Sequence, residues 1–205
     1  MSKPVIEFIF DFGSPNAYLA LHPLREMAER RGATIKLNPC LLGGIFKAAN
    51  NQAPMLTFAG VKGKLAYEQL EMQRFIAKYG LSRFRFNPHF PVNTLLAMRG
   101  MVAAQHAGAE QPYVEAVLRA MWEDGKKMDD PDVFAAVLND AALDGKAILE
   151  RTQDAGVKAE LAANTEAAVN RGVFGIPTFF VDGEMFFGKE RLGQIDDLLV
   201  QREAA

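Results

Sequence analysis

Hydrophobic and polar positions divide the chain into three parts. Val5-Ile6-Glu7-Phe8-Ile9-Phe10 is a short apolar run with one charge, the pattern of a buried strand. Tyr18, Leu19, Leu21, Leu24 and Met27 then recur at helical spacing, which predicts a helix from about Pro15 to Arg31. Gly32 follows, a residue suited to closing a helix. Thr34-Ile35-Lys36-Leu37 alternates as a second strand and ends at Asn38-Pro39. Two strands joined by one helix imply a parallel, right-handed β-α-β unit.

The middle is helical. An irregular piece from Cys40 to about Gly60 is expected first, with one or two helical turns over Gly43–Asn51. Leu65, Leu70, Met72, Phe75 and Ile76 then place a helix over Val61–Tyr79. A loop rich in aromatics and prolines, Phe84 to Pro91, separates it from helices over Asn93–Ala107 and Gln111–Glu123. Asp130-Pro131 opens a short helix to about Asn139, and Leu143-Asp144 opens another that Gly156 is expected to break. Val157–Asn170 is helical in turn. No strand is expected between Val61 and Arg151.

At the end the period changes again. Thr178-Phe179-Phe180-Val181 and Glu184-Met185-Phe186-Phe187 flank Asp182-Gly183, a strong hairpin signal. A helix is expected over Lys189–Gln201. The order βαβ, helices, αββα predicts an α/β protein with a thioredoxin-like mixed sheet and an all-helical insertion. Residues 1–42 and 152–205 would form the thioredoxin-like domain. Residues 43–151 would form the inserted helical domain and carry the active-site loop.

Composition narrows the partners. The 205 residues are 49% hydrophobic and 23% charged, a globular composition that fits one compact domain or one domain with a sizeable insertion. A formal net charge of -2 and a pI near 6.0 point to neither nucleic acid nor an anionic membrane. One Cys cannot form an internal disulfide, and with three His it excludes a Cys-rich zinc site, so no metal is expected. Met-Ser-Lys-Pro leads straight into a strand, and no run approaches the ~18 apolar residues of a membrane span. A cytoplasmic protein is expected.

The candidate chemistry starts at Gly13-Ser14-Pro15. Proline at a first helical position loses no hydrogen bond, and serine before it is a good N-cap. Ser14 therefore sits at the positive end of a helix and the carboxyl end of a strand. By spacing alone Ser14 is a helix cap. As a nucleophile it lacks a base, because His22 lies too far along the same helix. No Gly-x-Ser-x-Gly elbow is present. A hydroxyl placed this way is better suited to donating to an anion than to attacking.

The order of elements, Phe10-Asp11-Phe12-Gly13-Ser14-Pro15, Gly175-Ile176-Pro177-Thr178 and Phe187-Gly188-Lys189-Glu190-Arg191 together resemble the DsbA-like superfamily. Ser-Pro in place of its Cys-x-x-Cys resembles the 2-hydroxychromene-2-carboxylate isomerases and the kappa-class glutathione transferases. The resemblance implies that Ser14 holds the thiolate of bound glutathione. It implies that Pro177 is cis and that Ile176 offers its backbone to the cysteinyl part of that tripeptide. Phe187, Gly188, Lys189, Glu190 and Arg191 would hold the γ-glutamyl end, Glu190 taking the amine and Lys189 and Arg191 the carboxylate. Many relatives carry Asn-Asp-Arg or Ser-Asp-Arg after the glycine, where this chain has Lys-Glu-Arg.

Lys47 and Asn51 are four apart and share a face if their segment is helical. A lone lysine is commonly a solvated charge; the resemblance instead gives Lys47 a substrate carboxylate and Asn51 the glutathione or the substrate. Phe46, His89, Phe90 and Asn93 are candidates for the roof of the pocket. His89 is open as a general base or as a hydrogen-bonded loop histidine. Trp122 and the methionines fit a core.

The implied activity is a glutathione-dependent cis-trans isomerisation of an aromatic keto acid, 2-hydroxychromene-2-carboxylate to trans-o-hydroxybenzylidenepyruvate. A kappa-like transferase or peroxidase and a non-catalytic thioredoxin-fold module are the alternatives. The family resemblance also implies a homodimer.

Overall fold

The computed structural model describes residues 3–203. The order is β1 (Val5–Phe10), α1 (Pro15–Arg30), β2 (Thr34–Pro39), α2 (Leu42–Ala48), α3 (Pro54–Thr57), α4 (Lys64–Lys78), α5 (Leu95–His106), α6 (Glu110–Trp122), α7 (Pro131–Asp140), α8 (Gly145–Arg151), α9 (Ala155–Asn170), β3 (Thr178–Val181), β4 (Glu184–Phe187) and α10 (Leu192–Glu203). A 3-10 turn over Lys189–Arg191 precedes α10. The sheet order is β2-β1-β3-β4. β1 runs parallel to β2, pairing Val5 with Thr34 and Phe10 with Pro39. It runs antiparallel to β3, pairing Ile6 with Val181 and Ile9 with Thr178. The sheet is mixed, as the α/β thioredoxin-like layout requires.

Local chemistry accounts for the turns. Asp182 and Gly183 both have positive φ, 52° and 86°, which is the twist that joins β3 tightly to β4. Ser14 caps α1 by accepting from the Ala17 N–H at 3.2 Å. Asp130 and Asp144 cap α7 and α8 in the same way. The capping aspartates leave few first-turn N–H groups without a partner.

Four expectations for the elements change. α8 and α9 are separated at residues 152–154 and not at Gly156. Thr152 is buried and donates its hydroxyl to Leu149 O at 2.6 Å, closing α8. Gly156 lies in the first turn of α9, where backbone N–H groups have no helical acceptor to lose. α4 begins at Lys64, because Gly63 takes a left-handed φ of 81° just before it. The C-terminal helix is split into the 3-10 turn and α10, and α3 occupies part of the piece expected to be irregular.

The core is one cluster. Phe8, Phe10 and Phe12 are fully buried, and Phe8 packs on Phe179 with ring centroids 4.6 Å apart. Burying each such ring contributes about 1.5–3 kcal/mol. α5 packs on α6, α8 and α9, and α9 reaches β2. Gly100 in α5 is required by that packing: a Cβ there would lie 2.2 Å from the Tyr113 hydroxyl. No described helix is long and apolar enough to cross a membrane.

Candidate active site

The carboxyl end of β1 runs into a turn that is held from three directions. Asp11 is fully buried. Its Oδ1 accepts from the Gly13 N–H at 2.8 Å and its Oδ2 from the Leu42 N–H at 2.7 Å. Burial pushes the Asp11 carboxyl above its ordinary range, against the pull of Leu42, Gly13 and the Thr94 hydroxyl. One side chain thus ties the end of β1 to the start of α2 and to the entry of α5. Gly13 is closely packed here: a Cβ would lie 3.1 Å from Thr94 Cγ2 and 3.3 Å from Asp11 Oδ1. From the other side the Trp122 indole N–H donates to Phe12 O at 2.8 Å.

Ser14 follows this turn and is 3% exposed. Besides capping α1, its hydroxyl donates to Ile176 O at 2.9 Å. The Ile176–Pro177 bond is cis, as expected. The Ile176 N–H makes no hydrogen bond among the described residues. Around it, Thr178 Oγ1 donates to Gly175 O at 2.7 Å, and the Gly188 N–H donates to Pro177 O at 2.9 Å. Asn51 Nδ2 donates to Phe174 O at 2.8 Å. The Phe174 and Phe187 rings lie 4.5 Å apart, and a Cβ on Gly175 would come within 2.9 Å of Phe187. Ser14, Asn51, Phe187 and Gly188 therefore all make contacts with the loop over residues 174–178 that carries Ile176 and Pro177.

The charged end is arranged differently from the expectation. Lys189 is 2% exposed, and its ammonium lies between the carboxylates of Glu71 and Glu190, 5.0 Å from the Phe75 ring. It has no free face for a ligand carboxylate; its charge is consumed inside the fold. Burial would raise the Glu190 carboxyl, but Lys189 outweighs it and holds the group below its ordinary range. Arg191 is exposed, and a Cβ on Gly188 would meet Glu190 Oε2 at 2.7 Å.

The remaining candidates make no hydrogen bond to Ser14 or Ile176 among the described residues. α2 ends at Ala48, so Lys47 and Asn51 do not share a regular helical face; Lys47 is exposed near the end of α2. Asn50 has a positive φ of 50°, which turns the chain toward Phe174. Asn93 uses its Oδ1 to accept from the Leu95 N–H at 3.0 Å, at the start of α5. Phe90 is half-buried against Phe86 and Trp122. His89 is exposed. Cys40 is buried, and desolvation together with the Asp11 charge pushes its thiol up to about 12.

Sequence reasoning passed over Asp11 and Glu71. Asp11 carried a signal: a lone carboxylate in Phe10-Asp11-Phe12 has to be buried, and a buried carboxylate needs donors. Glu71 carried none, since its partner lies 118 positions away.

The family profile of the DSBA-like thioredoxin domain matches residues 5–200. The 2-hydroxychromene-2-carboxylate isomerase of Pseudomonas putida is 30% identical over 198 residues, spanning 95% of this chain and 94% of that protein. Glutathione S-transferase kappa 1 of Rattus norvegicus is 28% identical over 212 residues, spanning 97% and 92%. A solved structure of a 2-hydroxychromene-2-carboxylate isomerase superposes with a TM-score of 0.82 at 28% identity, covering 96% of this chain and 95% of that one.

Proposed function

The chain belongs to the DSBA-like thioredoxin-domain family, as a relative of the 2-hydroxychromene-2-carboxylate isomerases, and from that premise we propose that it is a glutathione-dependent cis-trans isomerase. The proposed substrate is an aromatic keto acid of the 2-hydroxychromene-2-carboxylate type. One observation carries it: a buried hydroxyl at the N-terminus of α1 lies 2.9 Å from Ile176 O, on a loop whose adjacent N–H is unbonded.

The residues present fit glutathione. The free Ile176 N–H and the Ile176 carbonyl together offer one donor and one acceptor to the main chain of a cysteinyl residue, as an added strand would use them. Asn51 and Phe187 flank that loop, and Glu190 and Arg191 supply opposite charges for an amino-acid end. Glutathione held there would supply a thiolate nucleophile for an electron-poor C=C and would be returned unchanged.

The chain's own part is electrostatic. In the free protein the Ser14 proton is spent on Ile176 O. A ligand N–H in its place on Ile176 O would free the hydroxyl to donate to an anionic sulfur, whose charged form the α1 dipole would also favour. Asp11 and Trp122 hold the turn that presents Ser14. Lys47 meets the substrate carboxylate. Cys40 takes no part, because its thiol is buried and held neutral.

The test is to follow the chromene's absorbance with and without glutathione, in the wild type and in Ser14→Ala. Turnover without glutathione, or turnover untouched by Ser14→Ala, overturns the proposal. Net consumption of glutathione assigns the chain to kappa-like transferase chemistry instead. The proposed enzyme is a homodimer, which light scattering at working concentration checks.

A further inference from the structure

A cavity of about 600 Å³ lies between α2, α5 and α9. None of Ser14, Asn51, Ile176 or Pro177 lines it. Its walls are largely apolar, with Leu95, Leu161 and Val169 prominent, and α2 contributes Gly44 and Ala48. Two cations enter this apolar lining, Arg99 from α5 and Lys158 from α9.

These two cations are unlike the others. Among the described residues, the lysines and arginines that are not exposed include Arg25, Arg31, Lys64, Arg151, Lys189 and Arg202, and each of these faces a carboxylate. Arg99 and Lys158 are the remaining ones, and neither side chain has a hydrogen bond or an ion pair among the described residues. Arg99 Nε is buried with no acceptor. A partly desolvated cation without a partner is costly, and native structures rarely leave such a group unexplained. Here both exceptions fall on one cavity.

The only acid in the lining, Glu166, pairs with neither. It is exposed, and it stands eight positions beyond Lys158 on α9, about 12 Å along the axis. Thr165 is already satisfied, since its hydroxyl donates to Leu161 O at 2.7 Å and accepts from the Leu41 N–H at 2.9 Å. The unmet demand is therefore for negative charge beside apolar surface.

We propose that this cavity is a second ligand site, separate from the Ser14 surface, that binds a carboxylate carrying an apolar body. The guanidinium of Arg99 takes the carboxylate in the forked geometry that suits it. Lys158 adds charge from the facing helix. Leu95, Leu161 and Val169 cover the apolar body, and the exposed Glu166 disfavours a second negative group at its end of the cavity.

Octanoate is the probe, with octanol and octylamine as controls, titrated into the full chain by calorimetry. Octanoate should bind the wild type, and Arg99→Met should weaken it by at least about tenfold, the scale of one charge-assisted pair. Lys158→Met should weaken it less, Arg99→Lys should recover part of the loss, and Ser14→Ala should leave it unchanged. Octanol should bind the wild type no better than octanoate binds Arg99→Met. The proposal is overturned if octanol matches octanoate, if Arg99→Met leaves binding intact, or if Ser14→Ala removes it. Should Arg99→Met fail to fold in a thermal melt, Lys158→Met decides: unchanged octanoate binding there overturns the site.

Discussion

The Ser14 hydroxyl donates to the Ile176 carbonyl at 2.9 Å, across 162 positions of the chain. The same oxygen caps α1, so Ser14→Ala removes two interactions at once. Loss of the cap should cost about 1 kcal/mol of stability. Loss of the donor should lower the glutathione-dependent rate by about a hundredfold, as for other anion-stabilising hydroxyls. Ultraviolet titration of the bound thiol checks the cause. Ser14 should hold that thiol's pKa below its free value, so activity rises with pH through a lower midpoint in the wild type than in Ser14→Ala.

Asp11→Asn tests the turn that presents Ser14. Gly13 and Leu42 donate to different oxygens of Asp11, and the amide replaces one of these by an NH2 donor. The N–H left facing an NH2 group should cost about 1–3 kcal/mol, with a matching loss of rate. The pH dependence has a definite sign. The folded-state carboxyl is raised, so the native state holds its proton more tightly than the unfolded chain does. Its contribution is greatest in acid and is lost as pH rises from the ordinary carboxylate range through the raised value. Urea melts across that range should show this slope in the wild type and not in Asp11→Asn.

Lys189→Met leaves Glu71 and Glu190 facing each other without a counter-charge. Both carboxylates are partly solvated, so the expected loss is about 1–3 kcal/mol, less than for a fully buried pair. The double variant Lys189→Met with Glu71→Gln should recover part of it. The sign with pH is opposite to that of Asp11. Glu190 is held low by Lys189, so its contribution is present above the ordinary carboxylate range and lost as pH falls through the lowered value. Equal melts for the single and double variants would show that the pairing carries no weight.

Asn51→Ala removes the 2.8 Å bond to Phe174 O at an exposed position. Its stability cost should be small, about 0.5–1.5 kcal/mol. The KM for glutathione should rise severalfold while kcat changes little, which steady-state kinetics at varied glutathione will show.

Cys40 should resist iodoacetamide in the native state and react once urea unfolds the chain, because only the thiolate attacks and burial holds the thiol at about 12. Cys40→Ala should keep its glutathione-dependent turnover.

The elements set by local pattern were legible. Alternation, Asp-Gly and the Ser-Pro cap placed β1 to β4 and α1 within a few residues, because each depends on neighbours in sequence. Gly156 misled, because a glycine breaks a helix interior but not its first turn. Lys189 misled more deeply. The family resemblance made it a ligand-facing cation, yet Glu71 on α4 captures it. A charge's destination depends on which distant carboxylate the fold delivers, and that is not written in its neighbourhood. The same holds for Asn51, whose partner is fixed by the left-handed turn at Asn50.

Trp122 is the only tryptophan in the chain, and its indole N–H is bonded to the Phe12 carbonyl, two residues before Ser14. All indole fluorescence of this protein therefore arises from one fully buried ring at the base of the candidate site. Its emission is a built-in optical gauge of that turn. A shift in colour or intensity on adding glutathione would report movement of the Ser14 corner without any label being attached.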